Sequence, residues 1–256
     1  MKAKIITIAN NKGGVAKTTS TETLGVILSG KGYKTLLVDL DAQRNLTTNL
    51  LKGKPEKTLF NSILERETPS LYPVRNNLYL VPSSEKLSGA EIQLSGEMER
   101  EFILKDILEP LRKEFDFILL DCPPSLGLLT INSLVTSDYV LIPSLAETRS
   151  AEGLTTLTRL ITQVKGRLNP SLSILGVFLT RWNRRRINKA VENYLRSSFG
   201  ETVLATKIRE NSAISESPTE GKTVIEYDPE SIGAQDYNNL ANEILSRLGM
   251  GTETKI

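Results

Sequence analysis

Short apolar runs recur along the chain, separated by longer segments in which apolar residues recur every three or four positions. The runs suit buried parallel strands and comprise Ile5–Ile8, Leu36–Val38, Leu78–Val81, Phe117–Leu120, Val140–Ile142 and Ile174–Leu179. From Glu152 to Leu168, and again from Ala234 to Leu248, the apolar positions line one face of a helix. This alternation predicts an α/β fold, with a doubly wound, mostly parallel central sheet and helices on both faces.

The least regular part of the chain runs from about Asn45 to Asn77, where Lys, Glu, Pro and Asn are mixed. We expect a mobile loop with a short helix there. No repeat and no linker rich in Pro, Gly or Ser divides the sequence, and no helix-turn-helix segment precedes the first predicted strand. We therefore expect residues 1–256 to form a single domain without an N-terminal helix-turn-helix domain.

Composition narrows the classes of function. The chain has 39% hydrophobic and 24% charged residues, as is typical of a globular protein. No apolar run is long enough to cross a bilayer, and the N-terminal apolar stretch is too short for a secretory signal. We expect a cytoplasmic location and no membrane partner. The net charge of +2 is too small for a bulk nucleic-acid binder, so any such role requires a local cluster of cations.

The chain also lacks the residues on which several chemistries depend. It has no histidine, and its single cysteine, Cys122, excludes an internal disulfide and a multi-cysteine metal site within one subunit. Any catalysis must therefore use carboxylates, lysines, hydroxyls and backbone dipoles.

A loop with two glycines joins the first predicted strand to a helical segment and runs from Ala9 to Thr19. Glycine lets the backbone approach a polyphosphate closely, and the amide groups at a helix start face the anion. Lys17 would reach the β- and γ-phosphates, and the Thr18 hydroxyl would bind Mg²⁺. The predicted phosphate-binding residues are Lys12, Gly13, Gly14, Val15, Ala16, Lys17, Thr18 and Thr19.

Carboxylates end two of the predicted strands. Asp39 and Asp41 follow Leu36–Val38 and lie on one side of the strand, because side chains two residues apart share a face. Asp121 closes the run Phe117–Leu120, which is the Walker B arrangement that holds Mg²⁺. A carboxylate that accepts a hydrogen bond from water suits hydrolysis in a chain without histidine. Aspartates at strand ends are also common loop formers, and this alternative stays open for Asp41.

Three elements together resemble the ParA/MinD family of deviant-Walker P-loop ATPases. They are the spacing K-G-G-x-x-K-[ST] from Lys12 to Thr18, the D-x-D element at Asp39 to Asp41, and the Asp121-Cys-Pro-Pro run. The match extends in blocks over nearly the whole chain and is strongest for short ParA/Soj-type partition ATPases. The resemblance implies ATP and Mg²⁺ as cofactors. It implies Lys12, Lys17 and Asp41 as catalytic residues and Thr18, Asp39 and Asp121 as the magnesium site.

The chain departs from the family pattern at three positions near this site. Ala16 stands before the catalytic lysine, where glycine is commoner, and is tolerable if the backbone there is already right-handed. Ala42 replaces a proline, and Arg44 replaces a glycine in the first switch loop. By the same resemblance, Asn183 and Arg209 are predicted to flank the adenine.

A basic cluster follows the last of these predicted strands. It consists of three consecutive arginines, Arg184, Arg185 and Arg186, and of Lys189 three residues later, and no acid follows before Glu192. A solvated surface run is the ordinary explanation of such a cluster. Because two parallel subunits would double it into one stripe, and because ParA-like proteins coat nucleoid DNA when they hold ATP, we predict that these four residues bind DNA.

The resemblance implies a switch that dimerises on ATP, with Lys12 reaching the nucleotide of the partner subunit. The dimer binds DNA non-specifically, and slow ATP hydrolysis, stimulated by a centromere-binding ParB-like protein, drives plasmid or chromosome partitioning at the nucleoid. The alternative is a MinD-like membrane-associated positioning ATPase. That alternative requires a cationic amphipathic C-terminal helix, whereas two glycines interrupt residues 246–251.

Overall fold

One eight-stranded sheet forms the centre of the protein in the computed structural model, which describes residues 2–147 and 150–251. Its order is β3-β4-β2-β5-β1-β6-β7-β8; β3 runs antiparallel to β4, and all other neighbouring strands are parallel. The strands are β1 Lys4–Ile8, β2 Thr35–Asp39, β3 Tyr72–Arg75, β4 Leu78–Val81, β5 Phe117–Asp121, β6 Tyr139–Leu145, β7 Ser173–Trp182 and β8 Val203–Arg209. The predicted α/β fold with a mostly parallel sheet is confirmed.

Eleven α-helices connect and cover the strands within the described residues. They are α1 Lys17–Gly30, α2 Asn45–Leu50, α3 Leu59–Leu64, α4 Ala90–Gln93, α5 Ile103–Leu108, α6 Leu128–Thr136, α7 Ser150–Arg167, α8 Arg186–Phe199, α9 Ser212–Glu216, α10 Val224–Tyr227 and α11 Ile232–Arg247. None of the helices in this part of the chain has the length and apolar character needed to span a membrane. Met1, residues 148–149 and residues 252–256, which the single-domain prediction includes, lie outside the described residues.

Both faces of the sheet are buried under helices. Successive residues of one strand point to opposite faces, so that Ile5 and Ile6 of β1 belong to different apolar clusters. Residues of α3, α5, α6, α7 and α8 cover one face, and residues of α1, α2 and α11 cover the other. This double burial explains why the central strands read as unbroken apolar runs rather than as alternating ones.

The structure corrects the prediction for residues 45–77. This segment contains helices α2 and α3 and the edge strand β3, so it is more regular than the loop we expected. Each helix has only six residues, which is too short for a helical period to emerge, and Pro73 lies in the strand. Strand β8 also went unpredicted, because this edge strand is only partly buried and carries Lys207 and Arg209.

The strand order brings the predicted functional segments together. Strand β5 lies between β1 and β2, and Asp121 is in register with Ile8 of β1 and with Asp39 of β2. The loop after β1 and the carboxylates that end β2 and β5 therefore meet at one edge of the sheet. The carboxyl ends of parallel strands are where open α/β sheets bind their ligands.

Candidate nucleotide-binding site

A buried asparagine, Asn10, anchors the loop between β1 and α1 to the sheet. Asn10 Nδ2 donates to the carbonyl oxygen of Pro143 in β6 at 2.7 Å, and its Oδ1 accepts from the backbone N–H of Lys12 at 3.0 Å. Gly14 has a φ of 71°, a left-handed conformation that glycine adopts without strain. The loop is thus fixed to the neighbouring strand and its following turn is shaped by glycine.

Ala16 corrects one of our expectations. Its backbone is left-handed, with φ 70° and ψ 33°, rather than right-handed. An L-residue in this conformation costs about 1–2 kcal/mol, because its Cβ crowds the following carbonyl oxygen. The commoner glycine at this position therefore has a conformational reason, and Ala16 introduces strain beside Lys17.

Lys17 opens α1 and is almost completely buried at the base of the loop. Its Nζ donates to the carbonyl oxygen of Lys12 at 3.1 Å, so the side chain curls back under the loop. Burial lowers the pKa of Lys17, while the negative charge of Asp121 opposes that change. The ammonium group lies where an anion bound in the loop would meet it.

Thr18 and Asp121 pair at the ends of α1 and β5. Thr18 Oγ1 donates to Asp121 Oδ2 at 2.7 Å, and burial together with the nearby Asp39 raises the pKa of Asp121 well above its usual range. The hydroxyl and carboxylate oxygens of this pair are of the kind that Mg²⁺ prefers as ligands. No group of three or more acidic, histidine or cysteine side chains able to hold a metal occurs among residues 2–147 and 150–251. Magnesium at this pair would take its remaining ligands from phosphate oxygens and water, which is usual for this ion.

Asp39 is fully buried and anchors the segment that carries Asp41. Its Oδ1 accepts from the backbone N–H of Asp41 at 3.1 Å, and its Oδ2 accepts from the N–H and the hydroxyl of Thr47 at 2.9 and 2.6 Å. Burial raises the pKa of Asp39 to about 6. The contacts of Asp39 fix the start of α2; its support of a magnesium shell stays a prediction.

Sequence reasoning missed two residues that position Asp41. Ser83 Oγ donates to the carbonyl oxygen of Asp41 at 2.7 Å, and Ser83 N–H donates to Thr47 Oγ1 at 2.8 Å. Isolated serines and threonines carry no motif, and only the pairing of β2 with β4 brings these residues together.

A cavity of about 600 Å³ lies above these groups and is large enough for a small-molecule ligand such as a nucleotide. Its near wall is the predicted phosphate loop, with Asp41 and Pro124 beside it. Its far wall comes from the ends of β7 and β8 and from the segment after β8. The far-wall residues are Thr180, Arg181, Ile208, Arg209, Glu210, Asn211, Ile214, Ser215, Pro218 and Tyr237.

The two predicted adenine residues differ in position. Arg209 lines the cavity, but its guanidinium is bound to Asp236, with Nη2 and Oδ1 2.6 Å apart. Asn183 is not among the lining residues; its Nδ2 donates to Glu210 Oε2 at 3.1 Å, and its Oδ1 accepts from Arg185 N–H at 3.2 Å. Their contact with adenine stays a prediction, and Glu210, which we did not foresee, lies at the cavity itself.

Lys12, which we predicted to bind phosphate, is not among the residues that line the cavity and is paired within its own subunit. Its Nζ is 2.7 Å from Oε2 of Glu147, which lies in the loop directly after β6. Both side chains are partly exposed, and such ion pairs contribute on the order of 1 kcal/mol or less. Lys12 is therefore available to another anion at small cost.

The basic cluster lies at the start of α8. Arg184, Arg185, Arg186 and Lys189 are all exposed. Within the described part of the chain, none of these four has an ion-pair partner. Exposed cations without ion-pair partners attract polyanions, and contact of these four residues with DNA stays a prediction.

Comparisons with known proteins agree with this geometry. Residues 3–174 match the family described as AAA domain. The chain is 41% identical to the chromosome-partitioning ATPase Soj of Treponema pallidum (strain Nichols), over 96% of this chain and 98% of that protein. It is 39% identical to the chromosome partitioning protein ParA of Caulobacter vibrioides (strain NA1000 / CB15N), over 95% and 94% of the two chains.

A solved structure is similar over the full length. Cobyrinic acid a,c-diamide synthase from Mycobacterium smegmatis, with a bound ATP analogue and magnesium, has a TM-score of 0.85 and 31% sequence identity. The match covers 99% of this chain and 100% of that one.

Proposed function

We infer the function of this chain from its family: it belongs to the ParA/Soj-type partition ATPases. We propose that it is an ATP-dependent molecular switch that dimerises on ATP, binds DNA without sequence preference and hydrolyses ATP to drive plasmid or chromosome partitioning. The observation that carries this proposal is the cavity lined by the phosphate loop and Asp41, with Asp121 hydrogen-bonded to Thr18 of its lining.

ATP and Mg²⁺ are the cofactors, as the bound ATP analogue and magnesium of the similar synthase support. The phosphates lie against residues 12–19, with Lys17 released from the Lys12 carbonyl oxygen to contact them. Thr18 and Asp121 hold the magnesium, which supplies charge neutralisation on the phosphate oxygens.

The chain is an ATP hydrolase that works without histidine. Asp41 lies at the cavity wall, where its carboxylate orients the attacking water, and Asp39 and Ser83 fix the backbone that carries it. Lys17 stabilises the negative charge that develops on the phosphates, and Lys12 adds a second cation from the partner subunit.

Dimerisation is coupled to ATP through Lys12. The Lys12–Glu147 pair is partly exposed and weak, so the triphosphate of a second subunit can compete for the ammonium group. In the resulting dimer the two clusters of Arg184, Arg185, Arg186 and Lys189 act together, which makes DNA binding dependent on ATP. A centromere-binding ParB-like protein stimulates hydrolysis and releases the dimer. In this proposal the protein acts in the cytoplasm at the nucleoid.

Sedimentation of the Lys12→Ala variant tests the switch. We expect the variant to bind ATP nearly as well as the parent protein but to stay monomeric with a non-hydrolysable ATP analogue, because only the contact between subunits is lost. Lys2→Ala is a matched control, since Lys2 also forms an exposed ion pair, with Glu109, but lies away from the cavity. Normal dimers in Lys12→Ala would refute the contact in trans.

The name of the similar synthase raises a second candidate, an amide-forming enzyme. Amide formation through a covalent enzyme intermediate requires an activated nucleophile, such as a reactive thiol. Cys122 is buried, and burial raises the pKa of its thiol to about 12, so it does not supply one. Phosphate release in the absence of any acceptor molecule separates the two functions, because only the partition ATPase turns over ATP with water alone.

The MinD-like alternative predicts binding to a membrane surface. Flotation with anionic liposomes in the presence of ATP tests it directly. We expect the protein to remain unbound, and co-flotation that depends on ATP would favour the alternative.

A further inference from the structure

Residues 85–93, here called the switch bridge, contact both loops that flank the reacting end of the cavity. The bridge consists of a 3-10 turn, Glu85–Gly89, and helix α4. The first switch loop is residues 41–44, after β2, and the second switch loop is residues 122–127, after β5. Asp41 of the first loop and Pro124 of the second both line the cavity.

The first contact is an ion pair. Arg44, at the end of the first switch loop, places Nη2 2.7 Å from Oε1 of Glu85. Arg44 also precedes α2, and its backbone is left-handed with φ 58°. This ion pair is partly exposed and contributes on the order of 1 kcal/mol or less, so Glu85 favours one position of Arg44 without locking it.

The second contact is between a carboxylate and the start of α6, immediately after the second switch loop. Glu91 Oε1 accepts from the backbone N–H of Leu129 at 3.2 Å. Helix α6 has no side-chain cap of its own and no acid in its first turn, so Glu91 supplies from outside the negative charge that a helix start favours.

Gly127 leaves the space that this carboxylate occupies. A Cβ at Gly127 would collide with the carboxylate oxygens of Glu91. Its φ of −78° is open to any L-residue, so a Cβ at this position would not strain the backbone and would displace only the flexible end of Glu91.

The switch bridge is anchored in the core on one side and is connected through α6 to the second switch loop on the other. Leu87 and Ala90 of the bridge are buried in the core, as is Leu94 directly after it, so the bridge cannot move freely. Thr130 Oγ1, in the first turn of α6, donates to the carbonyl oxygen of Ser125 at 2.7 Å. This hydrogen bond connects α6 to the second switch loop next to Pro124, so the position of the helix affects the position of the loop.

We propose that Glu85 and Glu91 are positioning residues that hold the two switch loops in register, so that Asp41 and Pro124 face the same γ-phosphate. Neither carboxylate lines the cavity, so both act through the loops rather than on the nucleotide. This inference rests on the proposed ATP hydrolysis and adds to it the connection between the two loops.

Steady-state phosphate release by Glu91→Ala, Glu91→Gln and Glu85→Ala tests the proposal. We expect Glu91→Ala to lower kcat about tenfold, equivalent to about 1.4 kcal/mol, with the KM for ATP unchanged. Glu91→Gln should recover most of the rate, because its amide oxygen still accepts from Leu129. The loss in the Glu85→Ala/Glu91→Ala double variant should be smaller than the product of the single losses, since both act on one arrangement.

Glu97→Gln is the matched control. Glu97 lies just beyond the bridge and pairs with Arg66, which belongs to neither switch loop. Gly127→Ala provides a second route, because its methyl group displaces the Glu91 carboxylate without removing it; it should reproduce the loss of Glu91→Ala. Rates equal to the control, or a KM that changes together with kcat, would overturn the proposal.

Hydrogen exchange separates this proposal from the proposed function. With an ATP analogue, we expect protection to rise in residues 41–44 and residues 122–129 together in the parent protein, and in only one of the two segments in Glu91→Ala. If the parent protein releases no phosphate, the proposed ATP hydrolysis is refuted. The exchange measurement still tests the bridge in that case, because it depends only on binding of the ATP analogue. Identical exchange in parent and variant would refute the bridge even if hydrolysis is normal.

Discussion

At the scale of single residues, the two departures from glycine in the site coincide with left-handed backbone. Ala16 has φ 70° and Arg44 has φ 58°, and both stand where the family pattern carries glycine. The letters of the sequence reveal the replacement, but not the conformation that makes it costly. The condition under which we expected Ala16 to be tolerable, a right-handed backbone, is therefore not met.

Ala16→Gly should therefore stabilise the protein. Removing the Cβ relieves about 1–2 kcal/mol of left-handed strain, while the freedom of glycine in the unfolded chain costs about 0.5–1 kcal/mol. We expect a net gain of about 0.5–1 kcal/mol, measured as a higher urea midpoint with an unchanged m-value.

Ala190→Gly is the control for Ala16→Gly. Ala190 is exposed in the middle of α8, where glycine costs about 1 kcal/mol relative to alanine. The two substitutions should thus shift the midpoint in opposite directions. A loss of stability in both variants would show that Ala16 is not strained in solution.

Motif residues were predictable where the chemistry fixes both residue type and spacing. Lys17 and Thr18 line the cavity, and Asp121 is hydrogen-bonded to Thr18, although their roles toward ATP stay predictions. Asn183 was assigned by resemblance alone, and its amide is instead bound to Glu210 and Arg185. A single polar residue at a strand end has many available partners, so sequence does not decide among them.

At the scale of elements, long buried strands were predictable and short elements were not. The central strands β1, β2 and β5 are buried on both faces and read as apolar runs. Strands β3 and β8 lie at the two edges of the sheet, where polar residues interrupt the run. Helices of six residues complete fewer than two turns, which leaves no periodicity to detect.

A buried carboxyl group connects two of these elements. Glu22 of α1 is 1% exposed, and its Oε2 accepts from Asn49 Nδ2 of α2 at 2.9 Å. Burial raises the pKa of Glu22 from 4.5 to about 7; Glu226 of α10 adds to this rise, while Asn49 and Arg75 of β3 oppose it. The folded protein therefore holds a proton on Glu22 that the unfolded chain has already released.

This proton makes stability depend on pH. Between pH 4.5 and about 7 the folded state binds more protons than the unfolded state, so the contribution of Glu22 to stability falls as pH rises. Glu22→Gln stays neutral and keeps an acceptor for Asn49. We expect it to match the parent protein near pH 4.5 and to exceed its stability at pH 9 by at most about 3 kcal/mol.

Urea unfolding at several pH values measures this difference. Glu56→Gln is a suitable control, because Glu56 is exposed and its replacement should shift stability equally at both ends of the range. If the gain of Glu22→Gln over the parent protein were the same at pH 4.5 and pH 9, the buried carboxyl would not titrate as described.

At the scale of the whole molecule, the topology places ATP chemistry and the basic cluster on connected elements. Strand β7 ends at Trp182, Arg181 lines the cavity, and α8 begins at Arg186. Asn188 of α8 donates to the carbonyl oxygen of Ala146, next to Glu147, the residue that holds Lys12. The segment that pairs with Lys12 is thus hydrogen-bonded to α8, the helix whose start carries the basic cluster. This contact offers a physical route from the proposed dimer to the proposed DNA contact.

Salt dependence gives the sharpest test of that route. Each phosphate contact contributes about −0.9 to the slope of log K against log salt concentration. Replacing Arg184, Arg185 and Arg186 with alanine removes up to six contacts per dimer, so we expect the ATP-dependent slope for non-specific duplex DNA to decrease in magnitude by up to about 5. Nucleotide affinity should not change, because none of the three residues lines the cavity.

A second triple variant controls for net charge. Lys52, Lys54 and Lys113 are also exposed cations, and their replacement with alanine removes the same charge from other surfaces. If DNA binding follows total charge alone, both variants should weaken it equally. If the basic cluster is the contact, only the arginine variant should lose the steep slope, because counterion release depends on cations that touch phosphates. Equal slopes for the arginine variant and the parent protein would place the DNA on another surface of the dimer.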